Sequence, residues 1–246
     1  MRKPLLIMQL RPEDETADDE FAAFLRYGRF DEADAVRLRI EVGGIPASLR
    51  LSDYSAVIVG GSPFDISTPA REKTAIQNRI EDDFSHLLKQ VVGRDFPFLG
   101  ACSGNGLLGS YLGVAVSRKY AEAVGCVSLR LTQAGREDPL LKGLPDAIDV
   151  LLGHKEACDA LPPGAELLIT GDACPVQMFR VGQNVYATQF HPEGDADGFS
   201  TRIQVYRNHG YFPPHEADAL IDSVSGVQTP YAQEILRRFV SRYLRA

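Results

Sequence analysis

The chain has 246 residues, of which 44% are hydrophobic, and a formal net charge of −7. This is enough apolar material for a sizeable core, and no basic stretch is concentrated enough to favour nucleic acid or an anionic membrane as a partner. No apolar run reaches membrane-spanning length, so the composition predicts a cytoplasmic, enzyme-sized protein that acts on a small molecule.

Strand and helix patterns alternate in the first part of the chain. Apolar runs predict strands over residues 5–10, 56–59 and 96–99, and the alternation of polar and apolar residues predicts a strand over residues 37–42. Capping residues and helical spacing predict helices that begin near Thr16, at Thr68-Pro69 and at Gly104; the second ends at Gly93 and the third at Leu112. This order predicts a parallel sheet with helices on both faces.

After Gly113 the pattern changes to short apolar segments that are separated by turn residues. The segments predict strands over residues 114–116, 124–131, 148–152, 167–169, 176–181 and 185–190. Helical patterns return after residue 193, and the last helix is predicted to start at Thr229-Pro230. We therefore predict one α/β domain over residues 1–246, with a helical C-terminal extension from about residue 195.

A cysteine stands between a predicted strand and a predicted helix, in the run Gly100-Ala101-Cys102-Ser103-Gly104. This arrangement is typical of a nucleophile elbow, a sharp turn that presents one reactive side chain at the sheet edge. The start of a helix is expected to lower the pKa of the Cys102 thiol. The alternative is a small buried hydrophobic residue, which most cysteines are, but the setting favours a nucleophile.

The segment His191-Pro192-Glu193 follows another predicted strand. In extended chain the side chains of His191 and Glu193 point the same way, because they are two residues apart. The imidazole can take the thiol proton and later give it to a leaving amine, and the carboxylate can orient the ring. These residues therefore complete a candidate Cys-His-Glu triad.

Backbone N–H groups near the cysteine are candidates for stabilising an oxyanion. Gly60 and Gly61 end the strand over residues 56–59, and the N–H of Gly61 is one candidate donor. The N–H of Ser103 is the second candidate. Because the carboxyl ends of parallel strands meet at one sheet edge, we expect these residues to converge with Cys102 and His191.

The four cysteines, at residues 102, 126, 158 and 174, show no C-x-x-C spacing. A structural zinc site is therefore not expected, and the wide spacing is typical of reduced thiols. A G-x-G-x-x-G pattern, which is typical of dinucleotide binding, starts at Gly104. No acidic residue follows at a strand end about 20 residues later, as that kind of site requires. We expect neither a cofactor nor a metal.

Together these residues resemble the class I, or triad, glutamine amidotransferases, and in particular the stand-alone group similar to the amidotransferase half of GMP synthase. The resemblance implies a flavodoxin-like fold and hydrolysis of the glutamine side-chain amide through a γ-glutamyl thioester. It also implies a synthase partner that accepts the ammonia. The motifs that carry it are Gly60-Gly61-Ser62-Pro63, Gly100-Ala101-Cys102-Ser103-Gly104 and Gln189-Phe190-His191-Pro192-Glu193, with a further familiar stretch over residues 161–177.

One position departs from this family, which usually has a glutamine four residues after the nucleophile, where it helps to hold the substrate. This chain has Gly106 there. Hydrolysis of another γ-glutamyl compound by the same triad is therefore a second hypothesis, and a non-catalytic regulatory module is a third. The extension over residues 195–227 is expected to cover the site, to form a contact surface or simply to pack as a surface loop.

Overall fold

A nine-stranded sheet forms the centre of the computed structural model, which describes residues 2–244. The strand order is β2-β1-β3-β4-β11-β10-β9-β6-β7, and β5 pairs separately with β8. The strands are β1 (Leu5–Gln9), β2 (Ala35–Arg39), β3 (Ala56–Val59), β4 (Phe98–Ala101), β5 (Val116–Ser117), β6 (Glu122–Leu131), β7 (Ala147–His154), β8 (Ala157–Cys158), β9 (Ala165–Thr170), β10 (Met178–Val181) and β11 (Val185–Thr188).

Five neighbouring strands, β2-β1-β3-β4-β11, pair in parallel, and the remaining pairs of the large sheet are antiparallel. The buried apolar runs of β1 and β3 are typical of parallel strands that are covered on both faces. The order of the parallel strands confirms the predicted flavodoxin-like α/β architecture.

Helices cover both faces of the sheet. Leu5 and Ile7 of β1 join a core with α1 and α8, whereas Leu6 and Met8 join a core with α3 and α4, as the two-residue period of a strand requires. Within residues 2–244, no helix has the length and apolar character needed to cross a membrane. The helices are α1 (Asp14–Gly28), α2 (Ile40–Gly43), α3 (Ala75–Gly93), α4 (Ser103–Tyr111), α5 (Gln133–Glu137), α6 (Ala196–Val205), α7 (Ala217–Val224) and α8 (Pro230–Tyr243).

The strand predicted over residues 37–42 is only partly correct. The observed strand β2 ends at Arg39, and the following residues form the short helix α2. Val42 is 71% exposed, so its apolar side chain does not mark a core-facing strand position. The alternation of polar and apolar residues therefore extended the predicted strand too far.

The long helix begins later than the predicted start at residues 68–69. The hydroxyl of Thr74 accepts a hydrogen bond from the N–H of Gln77 at 3.2 Å and caps α3. Ahead of this cap, the carboxylate of Glu156 accepts hydrogen bonds from the backbone N–H groups of residues 66–67. This long-range contact, which no local pattern reveals, holds the preceding stretch as a loop.

The sheet order places β4 directly beside β11, with Ala101 opposite Thr188. Cys102 and His191 follow the ends of these two neighbouring strands. The loop that follows β3 lies on the other side of β4, because β3 also pairs with β4. The three chain segments therefore leave the sheet at one edge.

Candidate active site

Cys102 occupies a strained turn between β4 and α4. Its backbone has φ 51° and ψ −94°, a combination that L-residues rarely adopt. Its N–H donates a hydrogen bond of 2.7 Å to the carbonyl oxygen of Thr188. A methyl group on Gly100 would lie 2.7 Å from the carbonyl carbon of Gly104, so the strand and helix approach as closely as glycine allows. The turn has the geometry expected of a nucleophile elbow.

The thiol is protonated at neutral pH in this environment. Burial raises the pKa of Cys102 to about 12, although the Arg11 guanidinium acts in the opposite direction. The sequence expectation that the helix start lowers this pKa is therefore wrong, because loss of solvation dominates. A thiol of this kind needs a base to remove its proton as it attacks.

His191 and Glu193 are in direct contact. Nδ1 of His191 donates to Oε1 of Glu193 at 2.7 Å, and an Nη2–H of Arg202 donates to the same oxygen at 3.0 Å. Burial alone would raise the pKa of Glu193, but His191 and Arg202 together hold it well below its usual range. Glu193 is thus an anion that holds Nδ1 of the imidazole, while Nε2 of His191 has no hydrogen bond to another group within residues 2–244.

The imidazole of His191 lines the same cavity as Cys102. Burial lowers the pKa of His191, and the charges of Arg202 and Arg11 lower it further. Glu193 raises this pKa, but its effect is smaller than that of the other three together. The ring is therefore neutral at neutral pH and can accept a proton. The predicted triad residues are all brought to this edge of the sheet, while their catalytic roles stay a prediction.

The backbone N–H of Gly61 is already engaged. It donates to Oε1 of Glu20 at 3.0 Å, and the same carboxylate pairs with Nε of Arg11 at 2.8 Å and accepts from Nε2 of Gln9 at 3.1 Å. Gly60 packs against the Glu20 carboxylate with no room for a side chain. In this arrangement Gly61 donates to the protein itself, so its role as an oxyanion donor stays a prediction.

Ser103, the second predicted donor, is the first residue of α4. The N–H of a first helical residue has no acceptor within its own helix. No group of α4 therefore competes for this N–H, and its role as an oxyanion donor stays a prediction.

Three buried charged residues of the site were not predicted from the sequence. Arg11 is 3% exposed, Glu20 is fully buried and Arg202 is 6% exposed. Glu20 lies on α1 and Arg202 on α6, where charged residues at helical spacing normally mark a solvated face. No local signal separates them from surface charges, since their burial depends on tertiary packing.

Residues 195–227, here named the covering segment, extend over the cavity. Tyr206, Tyr211 and Phe212 line it. The hydroxyl of Tyr211 donates to the carbonyl oxygen of Ser62 at 3.1 Å, and Nζ of Lys155 lies 4.6 Å from the centre of the Tyr211 ring. Of the alternatives left open by the sequence, the structure favours a segment that covers the site.

The space beside Gly106 is partly filled. A methyl group at this position would lie 2.9 Å from Cδ1 of Ile66 and 4.0 Å from Oε1 of Glu156. A longer side chain there would have to displace Ile66. The neighbouring amide of Gln189 is 2% exposed, and its Oε1 has no hydrogen-bond partner among residues 2–244. The structure thus has little space for a long side chain at position 106, and a buried acceptor without a partner lies in the same cavity.

Two clusters in the described part of the chain bring potential metal ligands together: Glu20 with His191 and Glu193, and Glu122 with His154 and Cys174. Hydrogen bonds and ion pairs already occupy the first cluster. In the second, Oε2 of Glu122 accepts from Nε2 of His154 at 2.9 Å. Neither cluster needs a metal to explain its geometry.

A family model for class I glutamine amidotransferases matches residues 32–204. The chain is 28% identical over 152 residues to the glutamine amidotransferase-like protein YfeJ of Salmonella typhimurium, a match that covers 62% of each chain. It is 33% identical over 157 residues to a glutamine-hydrolyzing GMP synthase subunit from Thermococcus kodakarensis, covering 63% of this chain and 78% of that protein.

A glutamine amidotransferase from Thermotoga maritima has the same fold, with a TM-score of 0.78, 19% identity and complete coverage of both chains. A glutamine amidotransferase from Methylobacillus flagellatus follows, with a TM-score of 0.72, 18% identity and coverage of 100% of this chain and 97% of that one. The sequence match to a glutamine-hydrolyzing GMP synthase subunit from Methanosphaera stadtmanae spans 54% of that protein. Because the family model matches well over half of its residues, the chain belongs to the class I glutamine amidotransferase family.

Proposed function

We propose that this protein hydrolyses the side-chain amide bond of a γ-glutamyl amide, of which glutamine is the simplest, through a γ-glutamyl thioester on Cys102. The observation that carries the proposal is that a strained cysteine elbow and His191, which is hydrogen-bonded to Glu193, line one cavity. A merely structural cysteine gives no reason for the unfavourable backbone angles of Cys102.

In the first step Sγ of Cys102 attacks the amide carbon, and Nε2 of His191 takes the thiol proton. This assignment is supported by the high pKa of the thiol and the lowered pKa of the imidazole. Glu193 stabilises the imidazolium as it forms. The N–H of Ser103 would donate to the oxyanion, and Gly61 would join it only when its contact with Glu20 opens.

In the second step the carbon–nitrogen bond breaks, and the imidazolium of His191 gives its proton to the departing amine. A water molecule then attacks the thioester carbon while His191 accepts one of its protons. The carbon–sulfur bond breaks, the carboxyl product leaves, and the proton returns to the sulfur. The net reaction consumes one water and yields an acid and an amine.

A second candidate is that the chain releases ammonia from glutamine for a synthase partner. Its similarity to the GMP synthase subunit from Thermococcus kodakarensis favours this function. Gly106 favours instead a substrate other than free glutamine, because the usual substrate-holding side chain is missing. The two candidates differ in which amide is cleaved best, and both need the same nucleophile.

The test is a panel of glutamine and γ-glutamyl amides, assayed for amine release with the wild type and with Cys102→Ala. We expect the substitution to reduce turnover by about 10⁴-fold or more. Cys126→Ala is the matched control, because Cys126 is exposed and lies outside the cavity. A mass shift on Cys102 after treatment with an electrophilic glutamine analogue would support the thioester. Turnover that survives in folded Cys102→Ala would exclude Cys102 as the nucleophile. A wild type that cleaves no amide of the panel and has an unreactive Cys102 would favour the non-catalytic alternative.

A further inference from the structure

The cavity around Cys102 has two arms. Cys102, Ser62 and Tyr211 belong to both of them, and the hydrogen bond from Tyr211 to Ser62 marks their boundary. The first, here named the aromatic arm, is also lined by Val124, Phe199, Ile203, Tyr206 and Phe212. The second, here named the polar arm, is also lined by Ser103, Gly106, Val116, Glu156 and Gln189.

The chemistry of amide cleavage determines which half of the substrate each arm receives. The group that protonates the leaving nitrogen must lie on the leaving-group side, and His191 lines the aromatic arm but not the polar arm. Ser103, the candidate oxyanion donor, and Gly106, where the family holds its substrate, line the polar arm. The leaving amine therefore belongs in the aromatic arm and the γ-glutamyl group in the polar arm.

The polar arm has a buried group suited to the γ-glutamyl half. Nε2 of Gln189 lies 4.0 Å from Sγ of Cys102, and Oε1 of Gln189 has no partner among the described residues. A buried acceptor without a partner is costly. The α-ammonium of a γ-glutamyl substrate would supply the missing donor next to the nucleophile.

The aromatic arm suits an uncharged, apolar group. Each of its two arginines is ion-paired, Arg11 with Glu20 at 2.8 Å and Arg202 with Glu193 at 3.0 Å, while Nε and Nη1 of Arg202 have no hydrogen-bond partner among residues 2–244. The remaining lining side chains are mostly aliphatic or aromatic. Ammonia would make no use of such a surface, whereas an alkyl or aryl group on the leaving nitrogen would bury apolar area against it.

We propose that the preferred substrate is an N-substituted γ-glutamyl amide, whose leaving amine carries an uncharged apolar substituent that binds in the aromatic arm. This inference rests on the proposed function and narrows its substrate class. Hydrolysis then converts R–CO–NH–R′ and water into the free γ-carboxylate and R′–NH₂, which leaves as the ammonium ion, with His191 as the proton carrier. No oxidant, reductant or further reactant is needed.

The test compares kcat/KM of the wild type for L-glutamine, L-γ-glutamyl-n-butylamide and L-γ-glutamyl-β-alanine. The last two amines have nearly the same length, but only β-alanine carries a carboxylate. Burial of two or more methylene groups leads us to expect at least about a tenfold preference for the butylamide over glutamine. We expect kcat/KM for the butylamide to exceed that for γ-glutamyl-β-alanine by a similar factor.

A matched pair of variants tests in which arm the butyl group of the substrate binds. Val124 lines only the aromatic arm and Val116 only the polar arm, and both are partly buried. Val124→Thr keeps the side-chain shape but replaces one methyl group by a hydroxyl, and we expect it to lower the butylamide-to-glutamine ratio of kcat/KM about fivefold. Val116→Thr should leave that ratio unchanged, whatever it does to both substrates together.

The outcomes separate this inference from the proposed function. If Cys102-dependent cleavage occurs but glutamine or γ-glutamyl-β-alanine is the preferred substrate, the inference is overturned and the proposed function stands. If the ratio responds to Val116→Thr rather than to Val124→Thr, the assignment of the arms is wrong. If no γ-glutamyl amide is cleaved, both are overturned.

Discussion

The candidate catalytic edge of the sheet and the covering segment differ in how they are built. At the edge, Cys102 and His191 follow the ends of paired strands, with Ala101 opposite Thr188. The covering segment reaches the same cavity through side-chain contacts, such as the hydrogen bond from Tyr211 to Ser62. Backbone pairing thus holds the candidate nucleophile and base, while a more easily altered surface closes the cavity above them.

This difference suggests how proteins of one fold could share the same reacting residues and still act on different substrates. Strand pairing tolerates little alteration, because a slip of one residue would turn each side chain to the opposite face. Tyr211 and Phe212 of the covering segment lie outside the sheet, so their exchange leaves the strand pairing intact. We therefore expect substitutions at the edge to act on the chemical step, and substitutions of Tyr211 or Phe212 in the covering segment to act on substrate preference or access.

Among substitutions at the candidate catalytic edge, Glu193→Gln is expected to have the largest effect on kcat. Loss of the anion removes the group that fixes the tautomer of His191 and stabilises its cation. We expect kcat to fall by about 10²–10⁴-fold, measured by steady-state kinetics with the best γ-glutamyl amide. Glu234→Gln is the control, since Glu234 pairs with Arg237 and Arg238 on α8 away from the cavity. A Glu193→Gln enzyme with nearly full kcat would remove the carboxylate from the mechanism.

Gly61→Ala tests the close packing at the same edge. The added methyl would lie 2.5 Å from Nη2 of Arg11 and 2.7 Å from Cε1 of His191, so the imidazole has to move. A displacement of this size is expected to lower kcat/KM by about 10²-fold. Gly43→Ala is the matched control, because its methyl would meet nothing within 4 Å. Equal activities of the two variants would contradict the described packing.

The pH profile of kcat/KM sharpens the assignment of His191 as a neutral base. Activity is lost when His191 is protonated, and burial lowers its pKa; the acid limb should therefore have its midpoint below pH 6.5. Because the pKa of Cys102 is about 12, no thiol titration is expected near pH 8–9. In Arg202→Met a nearby cation is lost, which should raise the pKa of His191 and move the acid limb to higher pH. An acid limb at or above pH 6.5 in the wild type would contradict this assignment.

The smallest expected effect is on the covering segment. Tyr211→Phe removes one hydrogen bond to Ser62, which is worth about 1 kcal/mol or about fivefold in the opening equilibrium. Amide hydrogen exchange over residues 206–213 should accelerate by that factor while kcat changes little. Tyr231→Phe is the control, because Tyr231 is 42% exposed. Unchanged exchange in Tyr211→Phe would mean that this bond does not hold the segment in place.

The sequence predicted the features that follow from strand ends. The elbow at Cys102 and the pair His191–Glu193 carry local signals, namely an apolar run followed by glycines or by a proline-containing turn. The parallel sheet followed from the order of strand and helix patterns. These signals act over a few residues, so a single sequence reveals them.

The remaining features depend on contacts between distant parts of the chain. Glu20 and Arg11 resemble surface charges in the sequence, but they are buried together against Gly61. The raised pKa of Cys102 follows from burial, which the local pattern of a helix start does not contain. Likewise, nothing near Tyr211 in the sequence indicates that its hydroxyl reaches Ser62, 149 residues earlier.

The position of β11 between β4 and β10 has a consequence for biosynthesis. During synthesis from the N-terminus, the cysteine emerges long before the strand that carries the histidine to its side. Until that last parallel strand inserts, the unfinished sheet exposes β4 as an open edge. In the nascent chain Cys102 is therefore synthesised before His191, and the candidate site is complete only when the sheet closes around β11.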